Sequence, residues 1–192
     1  MPRLNQGVDE VRKVVAYELL SLDGVAEEPD EFVTSWDDVM DENLGRVIST
    51  QDAVLLGHRT YDHWSKFWPT SNIEPFAKFI NGVEKFVIAT TATTQNWSNS
   101  VVVSGDLFEF VSKLKRQSGE DIGVHGSIRL FQSLCELELV DELRLVISPA
   151  IHIRGRKLFE KGLPSRLTMT RQVVSPTGYL LLDYEVQRAG IK

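Results

Sequence analysis

The stretch that decides the fold is DAVLLGHRTYDHW, residues 52–64. Its first half, Asp52 to Gly57, is a short, continuously apolar run, the pattern of a strand covered on both faces. Gly57 lets the backbone come close to a ligand, and His58 to Trp64 opens a short helix whose first N–H groups have no partner within the helix. A strand, a glycine turn and a helix in immediate succession indicate an α/β unit, and the turn is a place where an anion can be held.

Working outward, the same alternation continues. Upstream, Lys13 to Ser21 (KVVAYELLS) reads as a strand stopped by the Leu22-Asp23-Gly24 turn. Trp36, Val39, Met40, Leu44, Val47 and Ile48 then recur at helical spacing across residues 36–50. Downstream, Pro75 to Asn81 is a second short helix closed by Gly82, and Lys85 to Ala89 is a strand ending at Thr90-Thr91. After a brief strand at Val101–Val103, Asp106 caps a helix carrying Leu107, Phe110, Val111 and Leu114, with Gly119 as its end. Asp121 to Val124 is a strand, Gly126-Ser127 a turn, Ile128 to Leu139 a helix and Glu142 to Ser148 a strand stopped by Pro149. Leu167–Ser175 and Tyr179–Val186 flank the Pro176-Thr177-Gly178 turn as a terminal hairpin. The order predicts an α/β fold with a largely parallel central sheet, flanked by helices and extended by antiparallel C-terminal strands. Residues 1–12 are polar and aperiodic and read as a loose arm, which leaves 13–192 as one domain.

With 42% hydrophobic residues in 192, the chain can bury a sizeable core. A net charge of −6 and a pI near 5.3 disfavour a nucleic-acid partner, so an anion site must be local. No apolar run is long enough for a bilayer, and MPRLNQGVDEVRK has no apolar segment of the signal-peptide kind, so we expect a cytoplasmic protein with no membrane partner. Cys135, the sole cysteine, falls among helical apolar positions and reads as a structural thiol. His58, His63, His125 and His152 match no recognised zinc spacing, and no metal is expected. There is no GxSxG elbow, no P-loop and no GxGxxG fingerprint. The aromatic run YDHWSKFWP reads as a packed helix end.

Ligands of such sheets sit beyond the carboxyl ends of the strands. Four turns therefore stand out: Leu22-Asp23-Gly24, Gly57-His58-Arg59-Thr60, Thr90-Thr91 and His125-Gly126-Ser127. Arg59 offers the planar fork that suits a phosphate monoester such as the 2′-phosphate of NADP, Thr60 adds a hydroxyl, and His58 adds a donor when protonated. A solvated Arg59 and a merely turn-forming Gly57 are the competing reading. Gly126-Ser127 repeats the logic at the next long helix.

Taken in order, KVVAYELLSLDG, VLLGHRTYDHW, KFVIATT, DIGVHGSIRLFQSLCELELVDELRLVISPAI and GRKLF resemble the dihydrofolate reductase-like superfamily. The resemblance spans about residues 13–186 and is closest to the reductase domain of the riboflavin-biosynthesis deaminase/reductases. It implies NADPH as hydride donor. Gly57, His58, Arg59 and Thr60 would meet the adenosine phosphates, Thr90 and Thr91 the 2′-phosphate region, and His125, Gly126, Ser127 and Ile128 the pyrophosphate. Leu22, Asp23 and Gly24 would border nicotinamide and substrate. It also implies a cis peptide, expected at His125-Gly126. Where the family has a Gly-Gly pair this chain has His125-Gly126, expected to narrow the pyrophosphate space. Asp23 is a candidate proton donor or simply the turn former of an Asp-Gly pair. For the folate-binding carboxylate Asp37, Asp38, Asp41 and Glu42 are all available, with spacing back from Gly57 favouring Asp41, against a solvated helix face. Arg156, with Arg154 and Lys157, is a candidate for a substrate phosphate, against solvated charges in a surface loop. The implied function is an NADPH-dependent reductase of a small heterocycle, resembling 5-amino-6-(5-phosphoribosylamino)uracil reductase. Dihydrofolate reductase-type activity and a non-catalytic NADPH-binding protein are the alternatives. The partners implied are a small-molecule substrate and a second copy of the chain in a homodimer.

Overall fold

The computed structural model describes residues 11–91, 93, 96–160 and 165–187. Most of the expected N-terminal arm, residues 1–10, lies outside them. Strand β1 (Val14–Leu20) leads through a 3-10 turn at Pro29–Glu31 to α1 (Asp38–Ile48). Next come β2 (Gln51–Gly57), α2 (His58–Phe67), α3 (Phe76–Gly82), β3 (Glu84–Ile88) and β4 (Ser100–Val103). They are followed by α4 (Leu107–Lys115), β5 (Asp121–Val124), α5 (Ile128–Glu136), β6 (Glu142–Ile147), β7 (Arg166–Val174) and β8 (Leu180–Gln187). One eight-stranded sheet has the order β4-β3-β2-β5-β1-β6-β8-β7. The first six of these strands run parallel, and β8 and β7 are added antiparallel, as the sequence predicts.

The apolar runs are explained by burial on both faces. On one face Tyr17, Val54, Leu56 and Val87 meet Met40 and Val47 of α1, Tyr61 of α2 and Ile80 of α3. On the other, Val14, Ala16, Leu55, Ile122 and Val124 meet Val111 and Leu114 of α4 and Phe131 and Leu134 of α5. The aromatic run is the packed end of α2, with Trp68 4.8 Å from Phe76 and 5.9 Å from Trp64.

Caps set the helix limits. Asp37 accepts from Met40 N–H at 3.0 Å, and Asp106 from Glu109 N–H at 2.8 Å. Helix α5 stops at Glu136, short of the expected Leu139, because Glu138 turns left-handed (φ 54°). Leu139 N–H then bonds Leu134 O (2.9 Å) and Glu138 N–H bonds Cys135 O (3.1 Å), a Schellman closure without the usual glycine. Helix α4 likewise ends at Lys115 rather than at Gly119. Gly119 serves another purpose: a Cβ there would lie 2.9 Å from the guanidinium carbon of Arg12, which pairs with Asp52. Burial pushes the Cys135 thiol up to about 12, consistent with a structural role.

Candidate functional site

Because six neighbouring strands are parallel, their following turns line up along one edge of the sheet. From β4 inward they are Ser104-Gly105, Thr90-Thr91, Gly57–Thr60, Gly126–Ile128, Leu22–Gly24 and Ser148–Ile153. Strands lie about 4.8 Å apart, so the Thr90 turn and the Leu22 turn are separated by about 14 Å. All four sequence-selected turns therefore share one strip.

Two of these turns interlock. A Cβ on Gly57 would come within 3.0 Å of Ser127 Cβ and closer still to Ser127 Oγ, so only glycine admits the serine. In return, the Thr60 side chain lies 3.6 Å from where a Gly126 Cβ would be. The helices α2 and α5 thus start side by side. Helix α2 has no side-chain cap, and Ser127 caps α5 through Leu130 N–H at 3.4 Å. Neither helix has an acidic residue in its first turn. Instead each carries an exposed arginine at its second position, Arg59 in α2 and Arg129 in α5. A cation there opposes the helix dipole and is favourable only if an anion is shared. Arg129 was readable in the sequence by the same rule that selects Arg59. His58 turns along its helix, its Nε2 3.3 Å from Asp62 Oδ2. Thr90 and Thr91 are exposed beyond β3.

His125 departs from expectation. Its ring is buried between Tyr17, Phe76 and Phe79, and Nε2 meets Gln51 Oε1 at 2.7 Å. The pair crosses over Gly123, whose Cβ would lie 3.0 Å from that nitrogen. Burial lowers the imidazole to about 3, so it is a neutral core group. The side chain points into the core and not toward the turn that follows β5. The cis peptide is Gly126-Ser127, one bond later than expected.

At the other end of the strip, Leu22 N–H bonds Ala150 O at 2.7 Å, joining the β1 and β6 turns. Asp23 completes the joint. Its Oδ1 accepts from His152 N–H (2.9 Å) and from the Ser21 hydroxyl (2.8 Å), and its Oδ2 from Ile153 N–H (3.1 Å). These bonds, that of His152 foremost, hold the carboxyl down to about 2. Such a group carries no proton to donate at neutral pH, and the geometry gives Asp23 the turn-forming role. Gly24 (φ 86°) has open space where a Cβ would point. Arg156 is committed: its Nη2 and Nε lie 2.6 and 2.7 Å from Glu27 Oε1, and its N–H bonds Glu27 Oε2 at 3.0 Å. It is not the free phosphate ligand that the resemblance implies. Asp41 is exposed and accepts from the Trp36 indole at 2.7 Å, which favours the helix-face reading.

A cleft of about 720 Å³ opens at the opposite, amino end of the sheet, between Ile48, Gln51, Pro75, Phe79 and Val83. Helices α1 and α3 present their carboxyl ends there, which disfavours an anion. The edge strip, where two helix N-termini start side by side, is the better place for an anion.

Residues 12–181 match the family model described as the RibD C-terminal domain. A Bacillus subtilis (strain 168) protein, "Uncharacterized protein YyaP", is 28% identical over 155 residues, 77% of this chain and 80% of its own length. Among solved structures, a putative riboflavin biosynthesis protein from Shewanella sp. PV-4 superposes with a TM-score of 0.75 at 16% identity, covering 92% of this chain and 99% of that one. A diaminohydroxyphosphoribosylaminopyrimidine deaminase/5-amino-6-(5-phosphoribosylamino)uracil reductase from Thermotoga maritima gives 0.65 at 15% identity, covering 92% of this chain and 57% of that one. Enterococcus faecalis dihydrofolate reductase, complexed with NADP(H), gives 0.55 at 13%, covering 91% and 94%. At such identities the structures speak for the fold, which is dihydrofolate reductase-like. No helix among the described residues is long and apolar enough to cross a membrane.

Proposed function

Because this chain belongs to the RibD C-terminal domain family, we propose that it is an NADPH-dependent reductase of a small heterocyclic substrate. The observation that carries the reading is the pair of helix N-termini locked together by Gly57 and Ser127, each with an arginine in its first turn. Arg59 and Thr60, with Thr90 and Thr91, would hold the adenosine phosphates. The backbone of His125, Gly126, Ser127 and Ile128, with Arg129, would hold the pyrophosphate, and Leu22 and Gly24 would border the nicotinamide. When bound, the cofactor supplies a hydride from C4 of its nicotinamide to an electrophilic carbon, and a proton from water completes the reduction. The chain's own part is to orient the two reactants, through turns fixed by Gly57–Ser127 and by Asp23.

Calorimetry tests the reading: NADPH should bind in the micromolar range and NADH far more weakly. Absence of NADPH binding removes its foundation. Binding without oxidation by any pyrimidine, dihydrofolate or simple carbonyl compound favours the non-catalytic alternative. The folate alternative is weakened by Asp41, whose carboxylate is engaged by Trp36 at the surface.

A further inference from the structure

The substrate end of the strip is built against phosphate. We propose, on the basis of the reductase reading, that the lip formed by the β1 and β6 turns receives a neutral, apolar-edged substrate and excludes phosphate esters. Three observations converge. First, the consecutive N–H groups of His152 and Ile153 form an anion-binding nest, and the Asp23 carboxylate already fills it, one oxygen to each amide at 2.9 and 3.1 Å. Second, Arg156 is neutralised by Glu27 in a short two-nitrogen contact, and the hydrogen bonds donated by the Arg156 side chain and backbone hold Glu27 below the usual carboxylate range. A phosphate entering here would have to displace one carboxylate and sit beside the other. Glu31 brings a further carboxylate to the same segment, its Oε2 3.0 Å from His152 Nε2, against the exposed Arg154 and Lys157.

Third, what these bonds present to solvent is apolar. Leu22, Ile151 and Ile153 are 59%, 68% and 78% exposed on two backbones tied together by Leu22 N–H to Ala150 O. Ile153 is the most unusual of them. It has φ 69°, and Arg154 N–H closes on His152 O at 2.8 Å, a γ-turn of the left-handed kind. A β-branched residue seldom adopts that conformation. Here the Asp23 bonds hold the turn, and its product is an exposed isoleucine whose backbone is tied to Asp23, the residue before the open Gly24. An apolar ledge at the end of a cofactor strip suits the ring edge or alkyl group of an uncharged substrate.

The test is calorimetry on the full chain with two ligands, 5-amino-6-(5-phosphoribosylamino)uracil and the same molecule after removal of its phosphate, each with and without NADPH. The dephosphorylated ligand should bind about tenfold more tightly or better, the scale of one lost charge-assisted contact. Ile153→Ser should weaken that ligand about fivefold, the scale of about one methylene's worth of buried surface, with NADPH affinity unchanged. Glu27→Gln, which frees Arg156, should narrow or reverse the preference by tightening the phosphate ester. Tighter binding of the phosphate ester by the unaltered protein, or binding of neither ligand, overturns the proposal. NADPH titrated alone reads the cofactor assignment separately: either pyrimidine binding to a protein that ignores NADPH overturns the reductase reading, while the ligand pair still judges the lip.

Discussion

Replacing Gly57 by alanine tests the joint on which the cofactor assignment rests. The new methyl carbon would lie 3.0 Å from Ser127 Cβ and closer still to Ser127 Oγ, so the serine must move. Overpacking of this kind costs roughly 1 to 3 kcal/mol. Turning Ser127 away also gives up its bond to Leu130 N–H, an N-cap usually worth about 1 kcal/mol. At 3.4 Å this bond belongs at the weak end of that range. Gly57 has φ −74°, which alanine adopts freely. The substitution therefore regains about 0.4 to 1 kcal/mol from the less flexible unfolded chain. The net loss is about 1 to 3 kcal/mol, or roughly 3 to 10 °C in Tm for a chain of this size. Urea denaturation measures it, alone and in a Ser127→Gly background that removes the obstructing side chain and keeps a tolerated N-cap. There the alanine should cost less than about 0.5 kcal/mol or stabilise, and NADPH affinity lost in the single variant should return. Equal losses in the two backgrounds would refute the interlocking of the turns.

Three further outcomes follow from other parts of the molecule. Arg59→Ala should weaken NADPH about 10- to 100-fold, the scale of a charge-assisted hydrogen-bond pair, and NADH much less; equal losses by calorimetry would show that Arg59 does not read the 2′-phosphate. Burial holds the Glu18 carboxyl up at about 8, so between its ordinary value of 4.5 and about 8 the unfolded chain binds fewer protons than the folded one. Stability should fall as pH rises through that window, and Glu18→Gln should flatten the slope, leaving the variant more stable by a few kcal/mol at pH values above about 8. Strand β7 is a nine-residue edge with Leu167 and Met169 exposed, and we expect it to seat a second copy of the chain. Sedimentation should give twice the chain mass of 21.7 kDa, and Met169→Lys should yield monomers; a wild-type monomer at micromolar concentration refutes this.

The sequence was most legible where burial on two faces left continuous apolar runs. Strands β1, β2 and β5 could be read in this way, while the exposed β7 was legible from its β-rich composition and the Pro176-Thr177-Gly178 turn that follows it. What remained hidden depended on bonds between segments far apart in the chain. Asp23 looks like a free acid until His152 and Ile153, some 130 residues away, are found on its oxygens. Arg156 looks like a phosphate ligand until Glu27 is placed against it. His125 looks like an obstruction at the edge until Gln51 draws it inward over Gly123. Helix α5 reads three residues too long because a glutamate occupies the closing position where a glycine would have signalled the end. Arg129 and Ile153 could have been suspected from the sequence, the first as a base in a helix's first turn and the second only through its apolar neighbours.

The position of β1 bears on how the protein is made. Among the described strands it leaves the ribosome first, yet its partners are β5 and β6, and Leu20 pairs with Ile147. At about 5 to 20 residues per second, the nascent chain carries Val14–Leu20 for some 6 to 25 s before both neighbours exist. During that interval a seven-residue strand, apolar but for Glu18, is exposed with unpaired edges, the kind of stretch that self-associates. Within β4-β3-β2 each pairing joins strands consecutive in the chain, so this part of the sheet can form first. Insertion of β1 then joins it to the C-terminal hairpin, and the same event brings Asp23 to the edge where the Gly57 turn already waits.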